Sequence, residues 1–259
     1  MAKDYASRNI RGKLRVCRYL KGSSDLRQYV PDTVSFSRSN LEAMLGRYGI
    51  LYVKPDVGSL GIGICKIKRT RSGYELKSIQ GKQQTSTKLE SAAALYDRIA
   101  AGSKGKNLII QQGIKLDQVK GRPYDIRAMV QRKPGGGWTC TGFMVKAGAA
   151  GKIVTNYYQG GSIWTLRKLH DQLGLSESES AARSGKLGWV ALKMAALLSA
   201  KRSGMREMGI DFAFDRDHRL WVLEVNSNHP QFHPLKTIDP GAYNTMKHFA
   251  ASYGRKSAK

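Results

Sequence analysis

The chain has 259 residues, 41% of them hydrophobic and 24% charged, enough for one large domain or two small lobes with a real core. No apolar run approaches the ~18 residues of a membrane helix. The basic N-terminus leads into no apolar stretch of a secretory signal, and Cys17, Cys65 and Cys140 show neither metal nor disulfide spacing, so a reducing, cytoplasmic location is expected without membrane partners. The net charge of +25 attracts polyanions such as nucleotides, nucleic acid, anionic polymers or acidic proteins. No zinc-finger or aromatic RNA-binding signature accompanies it. The charge reads as solubility or diffuse attraction, with a dedicated nucleic-acid surface as the alternative.

Residues 1–36 form a short basic segment with weak patterning. Ser39 and Glu42 have capping-box spacing, and Leu41, Met44, Leu45 and Tyr48 follow at helical intervals up to Gly49. A strand over 50–53 runs through Lys54-Pro55 into a glycine-rich loop over 56–63. Paired strands are expected over 64–68 and 74–79, then a capped helix from 87–90 to about 101. A strand over 107–112 closes the first half. Strands over 124–132 and 138–147 flank Pro134-Gly135-Gly136-Gly137, and 152–155 reads as a third short strand. The longest helix is expected over 183–203, with a stripe of Leu187, Val190, Met194, Leu197 and Leu198. A strand pair over 208–215 and 220–226 precedes a final helix opened by Asp239-Pro240. Mixed order of this kind predicts an α+β protein of two lobes, 37–110 and 111–259, rather than a doubly wound parallel sheet.

The loop Lys54-Pro55-Asp56-Val57-Gly58-Ser59-Leu60-Gly61-Ile62-Gly63 is the first site candidate. Glycines let backbone amides approach a phosphate, and a strand-end lysine supplies a point charge. It is neither a Walker loop nor a dinucleotide fingerprint. A flexible hairpin tip is the alternative.

The second candidate is the hairpin around Asp217-His218. A symmetric turn pairs 215 with 220, 213 with 222 and 211 with 224, so Asp211 and Glu224 oppose each other with Asn226 on the same face. Opposed carboxylates in an apolar hairpin need neutralising. A magnesium ion takes carboxylate and amide oxygens. Solvation or pairing with Lys and Arg is the alternative, and a bulge would shift the register.

At these two constellations the chain resembles the ATP-grasp superfamily. Leu108-Ile109-Ile110-Gln111-Gln112-Gly113-Ile114 is similar to its adenine strand and hinge, and Tyr124-Asp125-Ile126-Arg127 to its Asp-x-Arg strand. Thr155-Asn156 with Gly160-Gly161 resembles its phosphate-side loop. The ordered set is closest to the YheC/YheD-like group, described as endospore coat-associated, over about residues 10–235.

The resemblance implies the ATP-grasp fold, with nucleotide held between antiparallel sheets. Lys54 would bind the α- and β-phosphates, and Gly58, Ser59, Gly61 and Gly63 would close over the β- and γ-phosphates. Gln111 would read the adenine amino group, with backbone near Gln112 and Ile114 completing the slot. Asp125 would contact the ribose or the acceptor, Asn156 would lie near the phosphates, and Arg127 would stabilise phosphoryl oxygens during transfer. Asp211, Glu224 and Asn226 would hold one or two magnesium ions, or manganese, and Lys13 is an upstream second phosphate lysine.

Three departures stand out. Barely 36 residues precede the core, Ile210 stands where many relatives carry arginine, and Ser227-Asn228-His229-Pro230-Gln231-Phe232-His233 replaces a Ser-Pro-Gly-type loop. The implied reaction is ADP-forming ligation of a carboxylate to an amine or thiol through an acyl phosphate. A nucleotide-binding coat or scaffold protein and a polyanion binder are the alternatives, with the spore coat as a further location.

Overall fold

A computed structural model describes residues 4–81, 83–149, 151–155 and 157–259. The N-terminal segment contributes helix α1 (Lys13–Lys21), which the sequence pattern did not announce. The first sheet and its helices are β1 (Thr33–Ser35), α2 (Arg38–Arg47), β2 (Ile50–Pro55), β3 (Cys65–Thr70), β4 (Gly73–Gln80), β5 (Gln83–Leu89), α3 (Ala92–Gly102) and β6 (Leu108–Gln112). Its six strands lie in the order β1-β6-β2-β3-β4-β5 and pair antiparallel.

The second half holds β7 (Gln118–Val119), β8 (Arg122–Gln131), β9 (Thr139–Ala147), β10 (Ser162–Trp164), α4 (Leu166–Leu173), α5 (Glu177–Lys201), β11 (Glu207–Phe214), β12 (Leu220–Asn226), α6 (Leu235–Ile238) and α7 (Pro240–Ala251). The order β10-β9-β8-β11-β12 forms the second antiparallel sheet, with β7 on β8.

Several expectations need correction. The cap of α2 is Ser37, whose side chain accepts from Asn40 N, because the chain turns two residues before Ser39. Residues 83–89 form edge strand β5, and the helix starts after Ser91, which caps it through Ala94 N. Residues 152–155 are a loop, and the short strand falls at Ser162–Trp164. Helix α5 begins at Glu177 with a full Ser176–Glu179 capping box. Its polar first turns carry no apolar stripe, so the helical pattern became visible only further along.

Each sheet has its own core. Leu41, Leu45, Leu51, Val53, Ile67, Leu95 and Ile110 fill the first. In the second, Ile126, Ala128, Val145, Ile210 and Phe212 pack against Leu187, Val190, Met194 and Leu198 of α5. Val16, Leu20, Leu26 and Val30 join that second core, so the basic segment is seated on the second half. Burial of such side chains is worth roughly 1.5–3 kcal/mol each. Met129, Met144, Phe232, Leu235 and Met246 make a third cluster under α6 and α7.

Candidate functional site

A groove of about 1450 Å³ lies between the two sheets. Tyr52, Lys54, Gln111, Gln112, Ile114 and flap residues Gly58, Ser59 and Gly61 line it from one side, and Asp125, Arg127, Lys146, Asp211, Glu224 and Asn226 from the other. A smaller cavity of about 700 Å³ meets it at Lys13, Gly58, Ser59 and Glu224. All the anticipated site residues that lie within the described chain therefore converge except Gly63, which sits at the base of the flap with its N–H on Ile79 O at 3.2 Å. Asn156 lies outside the described residues.

Strand alternation explains the convergence. Ile126, Ala128, Ile210 and Phe212 point into the core, so Asp125, Arg127 and Asp211 point to the opposite face. The anticipated hairpin register holds at the site and fails at the tip. Phe214 pairs with Leu220, Ala213 with Trp221 and Phe212 with Val222, one residue off the symmetric expectation. A bulge between Asp211 and Phe212 then restores the pairing of Asp211 with Glu224 and of Gly209 with Asn226. Leu223 is the extra residue, and the bulge re-aims the strand beside the site.

The opposed carboxylates are neutralised by protein cations, the alternative left open by the sequence. Arg127 donates to both oxygens of Asp211, Nε to Oδ1 at 2.8 Å and Nη2 to Oδ2 at 2.9 Å. Lys146 bridges Asp125 at 2.8 Å and Asp211 at 3.0 Å, and Asn226 donates to Asp211 at 3.2 Å. Glu224 lies 3.3 Å from Lys13 Nζ, which also donates to Gly58 O at 3.0 Å. Lys146 is the functional candidate that sequence reasoning missed. Its signal was a lysine directly after the apolar run Phe143-Met144-Val145 on a strand, opposite Asp125.

Burial dominates the electrostatics. It would raise the Asp211 carboxyl, yet Arg127 and Lys146 outweigh it and hold the group low. Burial raises Asp125, against the pull of Lys146. Both Asp125 oxygens are engaged, one by Lys146 and the other by a short hydrogen bond from Thr155 Oγ1. Burial lowers Lys54; Glu224 opposes that shift and Lys13 adds to it.

Local backbone geometry sets Lys13 and the flap. Gly12 at φ +93° lets the Asp56 carboxylate approach, and Asp56 Oδ1 accepts from Leu14 N at 2.8 Å. A Cβ at Gly12 would meet Asp56 Oδ2 at 2.7 Å. The start of α1 is thus tied to the flap, directly beside Lys13. In the flap, Leu60 and Gly61 take φ of 62° and 72°, a left-handed turn that favours glycine. Gln111 donates to Thr33 Oγ1 at 3.1 Å, and Gln112 Oε1 accepts from Asp32 N at 3.2 Å.

The donor set at β12, a carboxylate and an amide, is hard oxygen chemistry that suits magnesium. Glu224 keeps 28% exposure of its side chain, whereas Asp211 already accepts four donors. Among the described residues no group of three His, Cys, Asp or Glu side chains forms a metal cluster. The fit therefore rests on Glu224 and the Asn226 amide, with Asp211 behind them.

Two α+β lobes meeting at such a groove, with a glycine-rich flap on one sheet and a carboxylate hairpin on the other, define the ATP-grasp class. The sequence pattern of YheC/D-like ATP-grasp proteins matches residues 3–254, and the chain belongs to that family. It is 29% identical over 207 residues to the Endospore coat-associated protein YheD of Bacillus subtilis (strain 168), covering 76% of this chain and 45% of that protein. The Endospore coat-associated protein YheC of the same organism is 20% identical over 225 residues, covering 86% of this chain and 61% of YheC. The chain therefore spans about half the length of these relatives. Among the described residues no helix is long and apolar enough to cross a membrane.

Proposed function

We propose that the groove binds ATP with magnesium and that the protein is an ADP-forming ligase activating a carboxylate. The observation that carries this reading is the convergence of Lys54, Lys13, the flap, Gln111, Arg127 and the Glu224–Asn226 pair on one groove. Gln111 spends its amide N–H on Thr33, leaving its carbonyl oxygen as the acceptor an adenine amino group needs. Lys54 and Lys13 supply point charges for phosphate oxygens, and flap amides close over them. Glu224 and Asn226 would hold the metal, whose charge neutralises phosphate oxygens.

In the first step a substrate carboxylate oxygen bonds to the γ-phosphorus, and the bond to the bridging β–γ oxygen breaks. ADP leaves with that electron pair, and an acyl phosphate forms. In the second step an amine nitrogen attacks the acyl carbon, phosphate departs with the C–O electron pair, and the nitrogen loses a proton to water. Arg127 and Lys146, held on one face by Asp211 and Asp125, would stabilise charge on the transferring group; such positioning is the main source of rate in phosphoryl transfer.

The test is ADP release with a panel of carboxylic acids, using hydroxylamine as the trapping nucleophile. A carboxylate-dependent hydroxamate supports the ligase. Tight nucleotide binding without turnover supports instead a nucleotide-binding scaffold, the reading favoured by the coat-associated names of the two relatives.

A further inference from the structure

The groove carries more positive charge than one nucleotide uses. Among the described residues eleven lysines and arginines line it against five Asp and Glu carboxylates, an excess of six. Magnesium already offsets part of a triphosphate's charge, so a nucleotide leaves cations unmatched. The volume of about 1450 Å³ also exceeds the ~300–1,000 Å³ of ordinary small-molecule sites.

The unmatched cations have a definite place. Lys66 on β3 and Lys77 on β4 are directly opposed, and Lys68 follows Lys66 on the same face. Lys66 also pairs with Tyr52 of β2, which pairs with Gln111 of β6. Lys66 therefore sits two strands from Gln111, roughly 10 Å away. Along β3 the step from Lys66 to Lys68 runs away from the flap, toward the end of β2 at Ile50. Phosphates held by Lys54 and the flap would lie in the other direction. A triphosphate placed there would leave Lys66 and Lys68 without an anionic partner from the ligand.

Like charges directly opposed across strands destabilise a sheet. Glu75 faces Lys68 across the strands and lies 3.5 Å from Lys77, so one carboxylate is shared among three ammonium groups. Burial lowers the Lys66 ammonium, Lys77 and Lys68 lower it further, and Glu75 opposes them without reversing the shift. An anion lying along this wall would relieve that cost. Among the described residues the Phe, Tyr or Trp side chains lining the groove are Tyr52 and Tyr157, and the Tyr52 ring already carries the Lys66 ammonium at 5.8 Å from its centroid, so that face is not open to a stacked base. Tyr52, the aromatic residue paired with Lys66, donates its hydroxyl to Ile153 O at 3.0 Å. Along a strand, Lys66 and Lys68 are spaced about 7 Å apart, the same repeat as alternate side chains of an extended polypeptide.

We propose that the Lys66–Lys77–Lys68 wall receives an extended acidic polypeptide, whose flanking carboxylates it holds while one carboxyl is delivered to the phosphate end of the groove. This rests on the ligase reading for the delivered carboxyl, whereas the docking itself does not.

The test uses a fluorescein-labelled decamer of L-glutamate, read by anisotropy across a salt series. The proteins are wild type, the wall variant Lys66→Gln/Lys77→Gln, and the control Lys186→Gln/Lys201→Gln on the exposed face of α5, which loses the same net charge. The proposal expects salt-dependent binding that weakens about tenfold in the wall variant and less than about twofold in the control. It expects the wall variant to fold at least as stably as wild type, since a repulsion is removed. Equal weakening in both variants would reduce the effect to the diffuse field of a +25 protein and overturn the proposal. Absence of decamer binding at low salt, or stronger competition from an oligonucleotide of equal charge, would overturn it too. Melting with Mg-ATP is measured in parallel. Decamer binding without any nucleotide stabilisation would refute the ligase reading and leave the docking surface standing.

Discussion

Arg127 and Asp211 face each other across β8 and β11, and the guanidinium meets both carboxylate oxygens at 2.8 and 2.9 Å. Both side chains are largely buried, at 14% and 7% exposure. Removing one partner of such a pair strands a buried charge, at a cost of ~3–5 kcal/mol. Lys146 remains beside Asp211, so Arg127→Met should destabilise by about 3 kcal/mol in denaturant unfolding. Adding Asp211→Leu to it should cost less than the sum of the single changes. Additive losses would mean the pair is not energetically coupled.

Lys54 should matter to ligand more than to fold. Lys54→Met removes a charge that burial already disfavours, so the unliganded melting temperature should hold or rise. Affinity for Mg-ATP should fall by roughly tenfold or more, as for loss of a charge-assisted contact. Calorimetric titration of nucleotide into both proteins measures this; unchanged affinity would remove Lys54 from the site.

Gly12→Ala probes the tie between α1 and the flap. The substitution forces a β-carbon into a left-handed backbone and against Asp56. A loss of about 1–3 kcal/mol is expected, together with weaker nucleotide stabilisation because Lys13 is displaced. Stability equal to wild type would show that the Asp56 contact yields freely.

Asp32 gives the acid response. Burial alone would raise its carboxyl, but Lys21, Tyr48 and Arg47 outweigh burial and hold it at about 2, below its ordinary 3.8. The folded value is the lower one, so this stabilisation is complete above the unfolded value and is lost as pH falls toward 2. Asp211 adds in the same direction. Asp32→Asn should flatten the fall of unfolding free energy between about pH 4 and pH 2. Urea unfolding at several pH values across that window reads the slope, and an unchanged slope would exclude the cluster as its source.

A second buried ion pair clasps the two ends of the described chain. Arg255 Nη1 lies 2.6 Å from Glu207 Oε2, both side chains being fully buried. Tyr253 donates to the same carboxylate at 3.0 Å, and Tyr5 makes a short hydrogen bond to its other oxygen. Arg255→Met should cost ~3–5 kcal/mol by thermal or denaturant unfolding; a loss below about 1 kcal/mol would place the pair with weak surface contacts.

Much of this site was legible in the sequence because strand periodicity carries it. Asp125 and Arg127 are two apart, so one face takes both; the same rule sets Glu224 beside Asn226. The pairing of Asp211 with Glu224 was anticipated from a symmetric turn, yet it arises from an offset tip corrected by a bulge at Leu223. Neither shift has a residue signature in Arg216-Asp217-His218-Arg219 or at Leu223. Lys146 escaped notice because its role depends on which strand lies beside β9, a non-local fact. Helix α1 has its stripe in only two buried residues, Val16 and Leu20, and the strand character of 83–89 is set by pairing with β4 rather than by apolar alternation.

If Glu224 belongs to a magnesium-dependent nucleotide site, nucleotide should stabilise the fold only while its carboxylate is present. Thermal melting of wild type and Glu224→Ala, each with and without Mg-ATP, tests it most directly. A ligand that binds only the folded state raises the melting temperature by mass action. A magnesium-dependent rise is expected in wild type and none in Glu224→Ala. No rise in wild type at ATP well above millimolar, or an equal rise in both proteins, would contradict it.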